Sequence, residues 1–369
     1  MVPRDAGEPH RVATPLELFF DLCFVTAVAQ AAARLHHALS EGHIGHGLVG
    51  YLMVFFAIWW AWMNFTWFAS AYDTDDTVYR LATLVQIAGA LTLAAGVPRA
   101  FDENDYRLIT YGYVIMRLAG VFQWLRAARS DPPRRRTDLA YAAGIALVQL
   151  GWVIRLLLPD AWSVPSFLVL VVAELLVPIL AERRSMTPWH PHHIAERYGL
   201  FTLIVLGESV LAAMVAVQSA FDTGHNSTLI SLAAAGIVIV FSIWWLYFDR
   251  PAHDLLTSLR RALIWGYGHY LIFASLAALG AGLAVSVDYD VHVAHLSGVA
   301  AGYAVAVPVA VFLFMCWALH VYPLQRGPVL VAYPVAAALI LATPFTPAPV
   351  HATAAVMVAL VATTTVAKS

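Results

Sequence analysis

The sequence predicts an all-α integral membrane protein with about twelve transmembrane helices. Three observations carry that expectation. The 369-residue chain is 61% hydrophobic and only 12% charged, whereas a soluble domain carries about 25% charge. Apolar stretches of roughly 20 residues, the length that crosses a hydrocarbon layer, follow one another almost end to end. They run on continuously, where barrel strands would alternate in segments of about 10 residues.

The spans read in order as follows. Span one, about 16–38, opens at Thr14-Pro15-Leu16-Glu17. There Thr14 can cap, Pro15 suits the first helical position, and Glu17 stands where a capping box places its acid. Span two, 47–72, is dense in aromatic residues and stops at the polar run Asp73-Thr74-Asp75-Asp76, where span three, 78–98, can be capped by Asp75 or Asp76. Spans four and five, 107–127 and 138–158, flank the Arg134-Arg135-Arg136 run, and span six covers 163–182. A polar segment containing Pro188 and Pro191, residues 184–193, precedes span seven at 194–217. Span eight, 228–248, is closed by Asp249-Arg250-Pro251. Spans nine to twelve cover 262–284, 296–321, 328–345 and 349–366. Arg4 and Arg11 precede no short apolar run with a small-residue cleavage site, so span one is read as retained. Cys23 and Cys316 both lie inside apolar segments and imply no disulfide framework.

Basic residues orient the spans. With the N-terminus in the cytoplasm, the inside segments collect Arg4, Arg11, Arg80, Arg126, Arg129, Arg134, Arg135, Arg136, Arg183, Arg184, Arg250, Arg260, Arg261, Arg326 and Lys368. The outside loops collect Arg99 and Arg107. This predicts an even number of spans in a bacterial plasma (inner) membrane, with both termini cytoplasmic. The partner so implied is the lipid bilayer. The formal net charge of -2 argues against nucleic acid.

Landmarks recur about half a chain apart. Glu17 and Glu196 each open an apolar helix. Trp59-Trp60 is followed by Asn64, as Trp244-Trp245 is by Asp249, while Arg80 and Gln86 correspond to Arg261 and His269. An internal repeat of this kind predicts two parallel six-helix halves, residues 1–183 and 194–369, joined by a cytoplasmic linker at 184–193.

Several motifs together carry a resemblance to a known family. They are Thr14-Pro-Leu-Glu-Leu-Phe-Phe-Asp-Leu-Cys-Phe-Val25, Trp59-Trp60-Ala-Trp62-Met-Asn64-Phe-Thr66-Trp67 with the acidic run at 73–76, Glu196-Arg197-Tyr198-Gly199-Leu200-Phe201, Leu206-Gly207-Glu208-Ser209, Trp244-Trp245-Leu246-Tyr247-Phe248-Asp249, and Trp265 to His269. The chain resembles the bacterial low temperature requirement protein A family over most of its length. Cys23 departs from the branched aliphatic residue more usual there. The resemblance implies a multi-pass membrane protein and carries over no reaction or substrate.

The polar residues inside the spans supply the candidate site. Ionisable groups at membrane depth are costly and point to an ion or substrate pathway. Glu17 and Asp21 share a helix face, and a cap explains Glu17 but not Asp21. Glu196 and Arg197 open span seven. Glu208 returns to nearly the face of Arg197 near the middle of the membrane, where no capping role exists for it. Asn64, Gln86, Asp249 and His269 complete the expected pathway, and His269 titrates near neutral pH. Trp59, Trp60, Trp62, Trp67, Trp244, Trp245 and Tyr247 form an expected aromatic lining. Asp73, Asp75 and Asp76 offer the oxygen-rich set a hard cation requires, against the commoner reading as a solvated loop. His190, His192 and His193 form a proline-broken cluster lacking helical ligand spacing. Arg117 and Glu174 are intramembrane charges whose partners the sequence does not assign.

Two classes of function fit, with a third as the non-catalytic alternative. The favoured one is a proton- or cation-coupled transporter of a small molecule, with a cytoplasm-facing acidic and aromatic cavity. The second is an intramembrane enzyme, akin to a terpene cyclase or prenyltransferase, in which Mg²⁺ on Asp73, Asp75, Asp76 and Asp249 binds a lipid or isoprenoid diphosphate. The third is a membrane sensor or stress-response factor.

Overall fold

The computed structural model describes residues 1–5, 12–72, 74–223, 226–324 and 327–367. Twelve α-helices follow in order: α1 (Pro15–Ser40), α2 (Ile44–Tyr72), α3 (Thr77–Asp102), α4 (Arg107–Ser130), α5 (Arg135–Arg155), α6 (Ser163–Glu182), α7 (Pro191–Thr223), α8 (Asn226–Phe248), α9 (Leu259–Asp290), α10 (Gly298–Cys316), α11 (Pro328–Ala342) and α12 (Pro349–Val366). All twelve segments are long and apolar enough to cross a membrane. Among the described residues there is no strand. The protein is a multi-pass membrane protein, as its sequence predicts.

Helix ends follow local chemistry. Thr14 and Glu17 form the expected capping box: the Thr14 amide donates to Glu17 Oε2 at 2.7 Å, and the Glu17 amide donates to Thr14 Oγ1 at 3.3 Å. Asp76 caps α3 by accepting from the Tyr79 amide at 2.7 Å. Ser258 and Ser297 cap α9 and α10. Pro191 starts α7, so the expected linker already turns helical at its last residues. A π-helical turn, Trp317–Val321, extends α10.

The chain forms two compact units, one of residues 1–30 and 53–197 and the other of residues 31–52 and 198–369. In the first, α3 packs on α4, α4 on α5 and α5 on α6. Glycine sets the closest of these approaches: a Cβ on Gly112 would sit 2.4 Å from the Leu93 amide nitrogen, and one on Gly89 2.7 Å from the Gly112 carbonyl. Without a hydrophobic force between helices in lipid, such close backbone contact is a main source of association. In the second unit α9 packs on α10, α10 on α11, and α12 on α8 and α11. There Gly282 plays the same part, where a Cβ would lie 2.0 Å from the Ala304 carbonyl oxygen.

Candidate functional site

The first unit buries its charges in matched groups. Glu17 and Asp21, one turn apart on α1, both meet Arg197 of α7, and all three are 0% exposed. The guanidinium takes Asp21 as a two-point fork, Nη2 to Oδ1 at 2.5 Å and Nε to Oδ2 at 3.1 Å, while Nη1 lies 3.0 Å from Glu17 Oε1. A planar fork suits a carboxylate pair better than an ammonium would. Trp62 Nε1 donates to Asp21 Oδ1 at 2.7 Å, and His193 Nε2 lies 3.0 Å from Glu17 Oε1. Phe65 places its ring 5.6 Å from the guanidinium carbon. Neighbouring Glu196 accepts a long hydrogen bond of 3.4 Å from the Ala13 amide. Glu17, Asp21 and Arg197, expected on the pathway, and Trp62, expected in the aromatic lining, share one cluster, and His193 joins it.

The second group centres on Glu174 of α6, also 0% exposed. Its Oε1 accepts from Tyr113 (2.7 Å), Gln149 (3.0 Å) and Trp152 (3.1 Å). Its Oε2 accepts from Trp60 (2.8 Å) and Arg117 (2.9 Å). Trp60, expected as an aromatic wall, is therefore also a hydrogen-bond donor to a buried charge. Trp59 is buried beside it at a ring separation of 5.3 Å. Trp67 is half-buried and stands 5.3 Å from Trp189. Asn64 donates to the Trp60 carbonyl at 2.8 Å. Asn64 and Gln86 line a cavity of about 20 Å³ together with Arg117 and Trp124, large enough for a single water.

Asp73 lies outside the described residues. Asp75 receives both Nε and Nη2 of Arg80, at 2.8 and 2.7 Å, and this hydrogen bonding holds its carboxyl below the usual range. Asp76 faces Arg126 Nη2 at 2.6 Å. Burial pushes the Asp76 carboxyl up, but the Tyr79 amide and Arg126 outweigh it and leave the group below its usual range. Among the described residues no group of three or more His, Cys, Asp or Glu side chains is arranged to hold a metal ion.

In the second unit His269 of α9 is 0% exposed. Its Nδ1 meets the Trp265 carbonyl at 2.7 Å and its Nε2 meets Tyr247 Oη at 3.0 Å. A carbonyl can only accept, so Nδ1 carries the hydrogen and Nε2 accepts from the phenol. The neutral imidazole is therefore satisfied at both nitrogens. His320, on the π-helical turn, lies 5.6 Å from His269 and stacks at 6.0 Å on Trp265. Among the described residues His320 Nε2 and Trp265 Nε1 are buried without a hydrogen-bond partner. Sequence reasoning passed over His320, although a histidine so near the end of an apolar span is itself a signal. Trp244 and Trp245 are each 46% exposed, unlike Trp59 and Trp60 at 1% and 0%. Asp249 is half-buried and lies 3.5 Å from Arg250.

Glu208 is placed differently from the other carboxylates at membrane depth. It lies about 26 Å from the start of α7 at 1.5 Å per residue and is half-buried. The backbone around it is fixed: a Cβ on Gly280 of α9 would be 3.3 Å from the Glu208 carbonyl carbon, and Ser209 donates to the Leu276 carbonyl at 3.3 Å. Beside it Gly207 is exposed, with open space where a Cβ would point. The described residues supply no hydrogen bond or ion pair to the Glu208 carboxyl. A mid-span carboxyl of this kind can hold a proton or bind a cation.

Comparison with known proteins places the chain by family. The model of the bacterial low temperature requirement A protein matches residues 12–367. An uncharacterized protein of Rhizobium meliloti is 25% identical over 296 residues, covering 76% of this chain and 69% of that protein.

Proposed function

Since the chain belongs to the bacterial low temperature requirement A protein family, a family of multi-pass membrane proteins, we propose that it is a proton- or cation-coupled transporter of a small molecule in the bacterial inner membrane, with both termini cytoplasmic. One observation carries the reading: Glu208 sits midway along a membrane-spanning helix with no counter-charge or hydrogen-bond donor among the described residues. Glu17, Asp21 and Glu174, by contrast, are each held by an arginine. Keeping an unpaired charge at the membrane centre costs about 3 kcal/mol on insertion scales. A carboxyl left without a partner is relieved by taking up a proton or a cation, and coupled transport requires such a reversible event. The second observation in its support is that the Glu208 side chain is only half-buried, which leaves its carboxyl accessible. The diphosphate-enzyme reading draws no comparable support, because Asp75 and Asp76 already face Arg80 and Arg126.

The test is made in proteoliposomes with a pH-sensitive dye in the lumen and an imposed pH gradient. Amino acids, sugars and small organic cations are added in turn. At least one class is expected to accelerate dissipation of the gradient. Glu208→Gln is expected to slow that dissipation tenfold or more, while Glu208→Asp keeps part of it. Dissipation at an unchanged rate in Glu208→Gln removes the proposed role.

A further inference from the structure

Two buried acids meet one phenol at the end of the first unit where α2 and α4 stop and α5 begins. Tyr72, the last residue of α2, places its Oη 3.0 Å from Asp131 Oδ2 and 3.1 Å from Asp138 Oδ1. All three residues are buried, at 0%, 2% and 0% exposure. A phenol has one hydrogen and a carboxylate has none. If both acids were ionised, one of these two contacts would set lone pair against lone pair. Asp131 has a counter-ion, since Arg134 Nη1 donates to its Oδ2 at 3.0 Å. Among the described residues Asp138 has none, and its Oδ2 is buried without a donor. The other charges acting on Asp138 are the acids Asp131 and Glu182 and the base Arg134. Glu182 of α6 is turned to its own donors, Tyr141 at 2.9 Å and Thr187 at 2.6 and 2.9 Å.

We propose that Asp138, Tyr72 and Asp131 form an exchangeable proton site, with the proton resting on Asp138 at neutral pH and latching the α4–α5 turn to the segment that leads into α7. With that proton in place both contacts of the Tyr72 hydroxyl are satisfied. The Asp138 hydroxyl donates to Tyr72 Oη, the Tyr72 hydroxyl donates to Asp131, and Asp131 stays ionised against Arg134. Exchange is balanced in one step. A proton arriving at Asp131 passes to Tyr72 Oη as the phenol's own hydrogen moves to Asp138 Oδ1, so one O–H bond forms on Asp138 and the phenol is restored.

The same corner ties down the segment after α6. Arg134 Nε donates to the Met186 carbonyl at 3.1 Å and Thr137 donates to the Ser185 carbonyl at 2.9 Å. Loss of the Asp138 proton places a second buried negative charge beside Asp131, and only Arg134 opposes it. The contact of that turn with residues 183–189 is then weakened. This site does not involve Glu208 and does not rest on the transport reading.

Infrared spectra of the full chain in liposomes test the proposal. The band of a protonated carboxyl is expected at neutral pH and is expected to vanish at alkaline pH. Asp138→Asn loses that component, Tyr72→Phe shifts it by removing its acceptor, and Glu208→Gln leaves it in place. Amide exchange across 183–189 is expected to rise severalfold at alkaline pH in the parent chain and to stay level in Asp138→Asn. A parent-like band in Asp138→Asn overturns the proposal, and so does a band in Tyr72→Phe that neither moves nor weakens. A parent-like exchange response in Asp138→Asn overturns the latch.

Discussion

Replacing Glu174 by leucine removes the acceptor on which five donors converge. The partner Arg117 is 4% exposed, so its charge is stranded in the helix bundle. Breaking a buried ion pair from one side costs about 3–5 kcal/mol. Tyr113, Gln149, Trp152 and Trp60 also lose their acceptor, at about 0.6 kcal/mol each by the average for hydrogen bonds inside membrane proteins. The whole loss is about 6 kcal/mol, comparable with the 5–15 kcal/mol that holds a typical domain folded. Arg117→Met combined with Glu174→Leu removes the stranded charge and leaves only the four neutral donors, for a loss of about 2 kcal/mol. The assay is equilibrium unfolding in mixed micelles titrated with a denaturing detergent, followed by tryptophan fluorescence for the parent, both single variants and the double. The double variant is expected to be the more stable of the two Glu174→Leu proteins by about 4 kcal/mol. A double variant as unstable as Glu174→Leu alone refutes the reasoning, because Arg117 would then not depend on Glu174.

Four other outcomes follow from local geometry. Gly282→Ala drives a methyl to within 2.0 Å of the Ala304 carbonyl oxygen and is expected to lose about 1–3 kcal/mol by overpacking. Gly207→Ala meets open space and should be neutral or gain up to about 1 kcal/mol of helix propensity, as the same unfolding titration reads directly. Brominated lipids should quench Trp244 and Trp245, each 46% exposed, and leave the buried Trp59 and Trp60 untouched; Trp244→Phe then removes quenchable emission and Trp60→Phe removes none. Asp76→Ala should cost about 1 kcal/mol through loss of the α3 cap, whereas Asp76→Asn keeps the cap and loses only the Arg126 pair. Because the Asp76 carboxyl is held below its usual range, its contribution is full at neutral pH and falls away as pH drops below about 4, a loss that Asp76→Asn abolishes.

Helix positions were legible because each span is a long apolar run bounded by Pro, Asp, Ser or Arg, and the capping box at Thr14–Glu17 lies where the sequence puts it. Depth was legible too, since rise per residue alone sets Glu208 at the middle of α7. Direction around the helix axis was not. Trp59-Trp60 and Trp244-Trp245 are the same dipeptide, yet one is buried and the other exposed, because identical neighbours do not fix which face a helix turns inward. The Glu174 hub gathers donors from α2, α4 and α5, a convergence spread across more than a hundred residues. Its one local signal was chemical: Arg117 and Glu174 are unlike charges inside apolar spans, and hydrocarbon forces such groups together.

The way the chain satisfies its buried acids separates structural from exchangeable protons. Glu174 is given five donors, and Asp21 is given Arg197 and Trp62. Removing either acid strips an arginine and further donors of their acceptor at once. Asp138 shares the single hydrogen of Tyr72, and Glu208 has no donor among the described residues. For these two the neutral acid fits the surroundings at least as well as the anion. Adding or removing a proton at Glu208 breaks no hydrogen bond among the described residues, and at Asp138 the change acts on the α4–α5 corner and the segment it holds. The fixed acids should therefore respond to substitution mainly in stability, and Glu208 and Asp138 mainly in pH dependence. A large stability loss in Glu208→Gln, with parent-like pH dependence, would reverse that assignment.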